Sequence, residues 1–203
     1  MQAIPYRRSN LREAVLDRAA AAIEETGFDG ISLRQIARDL GVSHAAPNRY
    51  FPDRQTLRTA LVRHGLAELG DRLAAATTDP GADFGGRLTA FAAAFVGYAA
   101  AHPALTSLVL ATTSDDSAEG DELNEIKQRT FGAAIALLDD AHREGIVVGD
   151  PDRVAMAILA VIQGLATMVA GGSIGDRPVD TVVTGTVDVL LHGLLPRPEP
   201  PAT

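Results

Sequence analysis

An all-α fold is what this sequence predicts, and three observations predict it. Alanine, the residue least costly to place in a helix, occurs 35 times in 203 residues. Apolar residues recur at three- and four-residue spacing over segments of helical length. Capping residues precede those segments, and glycine or proline follows them. Aromatic residues make up only 4% of the chain, so the core must come largely from aliphatic side chains. A content of 46% apolar and 22% charged residues is globular and excludes a disordered or collagen-like chain. Cysteine is absent, which excludes a disulfide framework, thiolate metal sites and a cysteine nucleophile.

The elements follow in order. Asn10 and Glu13 form a capping box, and Leu11, Val15, Ala19, Ala22 and Ile23 keep one face apolar until Gly27 stops the helix. Ser32 and Gln35 open a second helix of about two turns, with Leu33, Ile36, Ala37 and Leu40 apolar and Gly41 at its end. Ser43 is placed to cap a third short helix that ends near Tyr50 and Phe51, and Asp53 to cap a long fourth one through Leu57, Leu61, Leu66, Leu69 and Leu73. Further helices are expected over 84–101, 103–112, 121–144 and 151–170, the last opened by Gly149-Asp150-Pro151. A final helix over 179–195 competes with a strand, because Val182, Val183, Val187, Val189 and Gly185 suit either. The acidic stretch from Asp115 to Glu125 reads as a solvated loop, and residues 196–203, with four prolines, as a disordered tail.

Charge divides the chain. Residues 1–64 carry ten Arg, no Lys and seven acidic residues, a net of +3; the remainder carries 8 basic and 19 acidic residues, a net of −11. One end can meet a polyanion that the other would repel. No leader-like apolar run stands at the N-terminus, and a cytoplasmic protein is expected. The uncharged run Val154 to Gly175 is long enough for a membrane span, but Gln163, Thr167, Ser173 and its glycines make a buried soluble helix the expectation. Gly171-Gly-Ser-Ile-Gly175 satisfies G-x-S-x-G, yet no strand precedes it, so it reads as a turn between helices. The five histidines form no i, i+4 pair, and neither a metal site, a cofactor site nor a catalytic constellation can be assembled.

The informative block is the triplet of short helices. Gly41-Val42-Ser43 is a tight turn between the second and third, as a helix-turn-helix requires. His44-Ala45-Ala46-Pro47-Asn48-Arg49 contains no large aliphatic residue, so little of the third helix gains from burial. Ser32-Leu33-Arg34-Gln35-Ile36-Ala37-Arg38-Asp39-Leu40-Gly41-Val42-Ser43, followed by His44-Ala45-Ala46-Pro47-Asn48-Arg49-Tyr50-Phe51-Pro52-Asp53-Arg54, resembles the DNA-binding signature of the tetracycline-repressor (TetR) family. The match is specific over residues 10–60. It implies a homodimeric helical repressor, with a DNA-binding domain over 1–54 and a ligand-binding and dimerisation domain over 55–203, docked through its last two long helices. Asn48 stands where the family usually has tyrosine, which removes a phosphate-contacting hydroxyl and adds an amide able to read adenine.

Phosphate contacts are expected from Ser32, Ser43, Tyr50 and Arg54, and base reading from Arg34, His44, Asn48 and Arg49. Pro47 is either a rigid corner or a means of loosening the third helix. Phe91, Phe95, Tyr98, Leu108, Phe131, Ile135 and Met168 are candidate walls of an effector cavity, with Gln163 as its polar fixer. So few charges on those faces favour a small neutral or lipophilic effector. The long fourth helix is the expected lever between the two halves. A second reading, a helical small-molecule carrier or enzyme keeping a vestigial basic module, draws on Asn48 and the modest +3.

Overall fold

The computed structural model describes residues 11–111 and 118–193; the Asn10 cap, residues 115–117, Leu194 and the 196–203 tail lie outside them. Among the described residues there are nine helices and no strand. They are α1 (Leu11–Gly30), α2 (Leu33–Asp39), α3 (Ala45–Asn48), α4 (Arg54–Ala76), α5 (Phe84–Ala101), α6 (Pro103–Ala111), α7 (Ala118–Arg143), α8 (Pro151–Ala170) and α9 (Val179–His192).

Local chemistry sets most of the starts. Ser32 accepts from Gln35 N at 3.3 Å, Asp53 from Thr56 N at 2.7 Å and Asp150 from Arg153 N at 2.9 Å, each satisfying an amide that its helix leaves unpaired. At Gly27 (φ 69°, ψ 167°) α1 kinks rather than ends, and a further turn runs on to Gly30. The α2–α3 turn closes through Val42 N to Ala37 O at 2.9 Å, with Gly41 in the left-handed region (φ 67°). α3 is shorter than expected: His44 takes the cap position in helical geometry with no side-chain bond, so the predicted Ser43 cap is not formed.

Three other expectations change. α7 begins at Ala118, so the acidic stretch is helical from there instead of a loop; Asp121 and Glu122 suit a helix start, and Glu122 pairs with Arg63. α9 is a helix, because Val183 and Val187, four residues apart, are both buried. α8 has a mean hydropathy of 1.8, yet only 22% of its apolar window is buried within the chain. The expected buried helix therefore has most of its surface uncovered. It is the single helix among the described residues long and apolar enough to cross a membrane. Residues 171–176 are a turn, with Gly172 and Gly175 at positive φ, and a helix rather than a strand precedes Ser173.

The chain separates into two compact units, Met1–Asp71 with Ala101–Phe131, and Arg72–Ala100 with Gly132–Thr203. The line expected at 54/55 falls inside the first unit. α7 runs from one unit into the other, as does α4, the expected lever. The first unit's core joins Val15, Leu16, Ala19 and Ile23 of α1 to Ile36, Phe51, Leu57, Leu61 and Leu66, and to Leu105, Leu108 and Val109 of α6. α7 approaches α4 closely at Gly70, where an added Cβ would lie 3.3 Å from the Thr130 Cα, and Thr130 Oγ1 donates toward Leu66 O at 3.1 Å. In the second unit Phe91, Phe95, Tyr98, Ile158, Ile162, Leu165, Val183 and Val187 are buried, with the Arg72 guanidinium 5.2 Å from the Tyr98 ring centroid.

Phe51 is fully buried at the end of the α3 turn. Phe51→Ala should cost about 3–5 kcal/mol, read as a lower urea midpoint by circular dichroism; an unchanged midpoint would mean that this ring does not hold the first unit together.

Candidate nucleic-acid interface

The outward chemistry of the first unit lies on α2, α3 and the turn between them. Arg34, Ser43, His44, Ala45, Asn48 and Arg49 are exposed, whereas Pro47 is buried. The Pro47 carbonyl accepts from Tyr50 N and Phe51 N, both at 3.0 Å. That is the rigid-corner role: an apolar ring seated inward fixes a four-residue helix whose other side chains stay free. The side chains of Arg34, His44, Asn48 and Arg49 have no hydrogen bond or ion pair among the described residues, and none has a large apolar body to hide. Their groups match duplex edges: guanidinium for guanine O6 and N7, amide for adenine N6 and N7.

The remaining predicted contacts are placed differently. Ser32 is exposed but its Oγ already caps α2. Tyr50 is half-buried and packs against the core. Arg54, expected to face phosphate, is exposed and is already bonded to its own chain. It donates to Phe28 O at 3.0 Å and pairs with Asp29 Oδ1 at 3.1 Å, with its guanidinium 5.0 Å from the Phe28 ring centroid. Arg54 thus clamps the last turn of α1 to the first turn of α4, because the carbonyls ending α1 need donors. Arg58 stands over the same ring at 5.7 Å.

Bonds that the sequence did not point to hold the reading elements in place. Arg18 Nε donates to Asp39 Oδ2 at 2.8 Å and Gln35 Nε2 donates to Asp39 Oδ1 at 2.6 Å, so Asp39 ties α2 to α1; Arg38 donates to Gln35 Oε1. The Gln35 bond chiefly, with the Arg18 bond and charge, holds the Asp39 carboxyl below its ordinary 3.8. The Thr56 amide does the same for Asp53. Glu24 of α1 accepts from Ala104 N and Leu105 N of α6. Its only trace in the sequence is that α6, entered through His102-Pro103, lacks a capping residue of its own.

The predicted effector residues are divided between the two units. Leu108 is buried in the first unit's core and Phe131 packs against it, while Phe91, Phe95 and Tyr98 are buried in the second unit. Gln163 is half-buried, and Ile135 and Met168 are exposed at 51% and 49%, so neither is an enclosed wall in the single chain. A cavity of about 600 Å³ in the second unit is lined by other residues, among them Asp83, Phe84, Val147, Ile158, Leu191 and His192. Ile135 lines a second one of about 300 Å³. Among the described residues no group of three or more His, Asp or Glu could hold a metal.

A helix-turn-helix module continuous with a larger helical domain is the architecture of a DNA-binding transcriptional regulator. Residues 15–61 match the model of the bacterial regulatory proteins of the tetR family, and residues 88–194 that of the tetracyclin repressor-like C-terminal domain. The chain belongs to the TetR family. A protein of unknown function from Rhodococcus sp. RHA1 is 36% identical, with a TM-score of 0.80 over 94% of this chain and 98% of that one. An HTH-type transcriptional regulator of Mycobacterium tuberculosis is 30% identical over 70% of this chain, which spans 60% of that relative's length. The transcriptional regulator FadR of Bacillus subtilis, solved in complex with stearoyl-CoA, shares the fold at 16% identity and a TM-score of 0.72, over 90% of this chain and 99% of that one.

The depressed Asp39 fixes the sign of an acid effect. A carboxyl lowered in the folded state stabilises fully above its unfolded value of 3.8, and that contribution is lost as pH falls through the lower folded value. Asp39→Asn should therefore flatten the fall of the melting temperature below pH 3.8. An unaltered acid limb would show that the α1–α2 tie contributes nothing.

Proposed function

We propose that this chain is a ligand-responsive repressor that binds near-palindromic operator DNA as a homodimer and is released by a small neutral or lipophilic effector. The observation that supports it most is the uncommitted set Arg34, His44, Asn48 and Arg49 on two short helices closed by a Gly41 turn, since the buried Ile36, Ala37, Pro47 and Phe51 hold those helices while their polar ends face solvent. Dimerisation is supported by α8. Met156, Leu159, Ala160 and Thr167 stand exposed at helical spacing on a strongly apolar helix, with Val189 of α9 exposed as well. Val183 of α9 is buried in its own chain, so on this reading α8 supplies more of the seam than α9. A C2 pairing would set two reading heads on half-sites about one helical turn apart.

For the effector, two structural neighbours are solved with acyl-coenzyme A ligands, FadR with stearoyl-CoA and AibR with isovaleryl-CoA and operator DNA. The lipophilic part of such ligands agrees with the apolar interior here, but the −11 balance of residues 65–203 favours a neutral ligand over a multiply charged one. The effector acts by changing the spacing of the two heads, so operator and effector weaken each other by the same factor.

Selection of duplexes from a random pool tests the reading. Arg34→Ala, Asn48→Ala and Arg49→Ala should each cost about 1–3 kcal/mol and relax one position of the selected site. Arg54→Ala should lower the melting temperature and leave base preference intact. Light scattering should return twice 21.2 kDa, and Met156→Asp with Leu159→Asp should return the single chain. Identical selection profiles for all the arginine variants, or a wild-type monomer at micromolar concentration, would contradict the reading.

A further inference from the structure

We propose that Glu24 is a positioning residue that latches α6 to the reading head, so that the start of α6 and the grip on DNA are formed and lost together. The DNA limb of this statement rests on the regulator reading above.

The first turn of any helix leaves backbone N–H groups without intrahelical partners. A chain usually answers with Ser, Thr, Asp or Asn at the preceding position. α6 has no such residue, since Ala101 and His102 lead into Pro103. The cap is supplied instead from α1: Ala104 N donates to Glu24 Oε2 at 2.9 Å and Leu105 N to Glu24 Oε1 at 2.9 Å, across 80 and 81 residues of sequence. Use of both oxygens fixes the orientation of the carboxylate as well as its distance, and its charge meets the positive end of the α6 dipole.

The position of Glu24 gives this cap its consequence. Arg18, on the same helix, holds α2 through Asp39, and the last turn of α1 is held to α4 by Arg54. α6 is therefore bonded to the helix that carries the other attachments of the head. Only His102 separates α6 from α5, so movement of α5 reaches the two latched amides through a single residue. A hydrogen bond weakens steeply once stretched or bent, and a shift of about half an ångström at Ala104 strains both at once.

Glu24→Gln keeps the size of the side chain but replaces one acceptor by a donor facing an N–H. Amide hydrogen exchange on the full chain reads the latch directly. In the free protein, Glu24→Gln should accelerate exchange at Ala104 and Leu105 at least tenfold and leave Ile162 and Leu165 of α8 unchanged, the latter showing that the variant is folded. Unchanged exchange at Ala104 and Leu105 overturns the latch. With duplex selected by the wild-type protein, these two amides should gain at least a further fivefold protection in the wild type and less than twofold in Glu24→Gln. No gain in the wild type, or an equal gain in the saturated variant, overturns the coupling. Failure of the wild type to select any duplex contradicts the regulator reading instead, and the free-protein exchange still decides whether the latch exists.

Discussion

The first unit depends on one constraint, the burial of α1 among partners that each also bond to it. Val15, Ala19 and Ile23 fill the space against α4 and α6, and three polar attachments then remove the freedom that apolar packing leaves. Arg18 fixes α2, Glu24 fixes α6, and the carbonyl of Phe28 with the Asp29 carboxylate fixes Arg54 at the start of α4. Hydrophobic contact is non-directional, whereas these hydrogen bonds tolerate only small displacements. The position of α3 follows from this arrangement, because four helical residues cannot hold themselves in place.

The same constraint explains how α3 can remain polar. A helix normally stays folded because an apolar stripe is buried, and α3 has only Pro47 and the adjoining Phe51 to offer. Its neighbours supply the order, leaving His44, Asn48 and Arg49 uncommitted. Charge adds to this, since residues 1–64 carry a net of +3 and residues 65–203, which include all of the second unit, a net of −11. The exposed stripe of α8 is the counterpart in that unit: an apolar surface left uncovered by its own chain.

What could be read from the sequence was what is decided within a turn or two of chain. Ser32, Asp53 and Asp150 cap the amides two or three residues ahead of them, and Pro151 and Gly41 act through their own backbones, so α2, α4 and α8 were placed almost to the residue. Val182, Val183, Val187 and Val189 left helix and strand open, and burial at four-residue spacing resolved it. Contacts across long separations were not legible. The bonds of Arg54 to Phe28 and Asp29, 26 and 25 residues back, have no local signature, and nothing near Glu24 points to Ala104. Apolar spacing likewise says which face of a helix is buried, not which core receives it: Leu108 and Phe91 are buried in different units.

The central claim is that the free polar ends of α2 and α3 meet DNA while α1 holds them. Adding selected duplex to isotopically labelled protein and following side-chain and amide resonances tests it most directly. The largest changes are expected at Arg34, His44, Asn48 and Arg49, with the buried Val15 and Ile23 of α1 little affected. Changes confined to α8 and α9, with α2 and α3 silent, would contradict it.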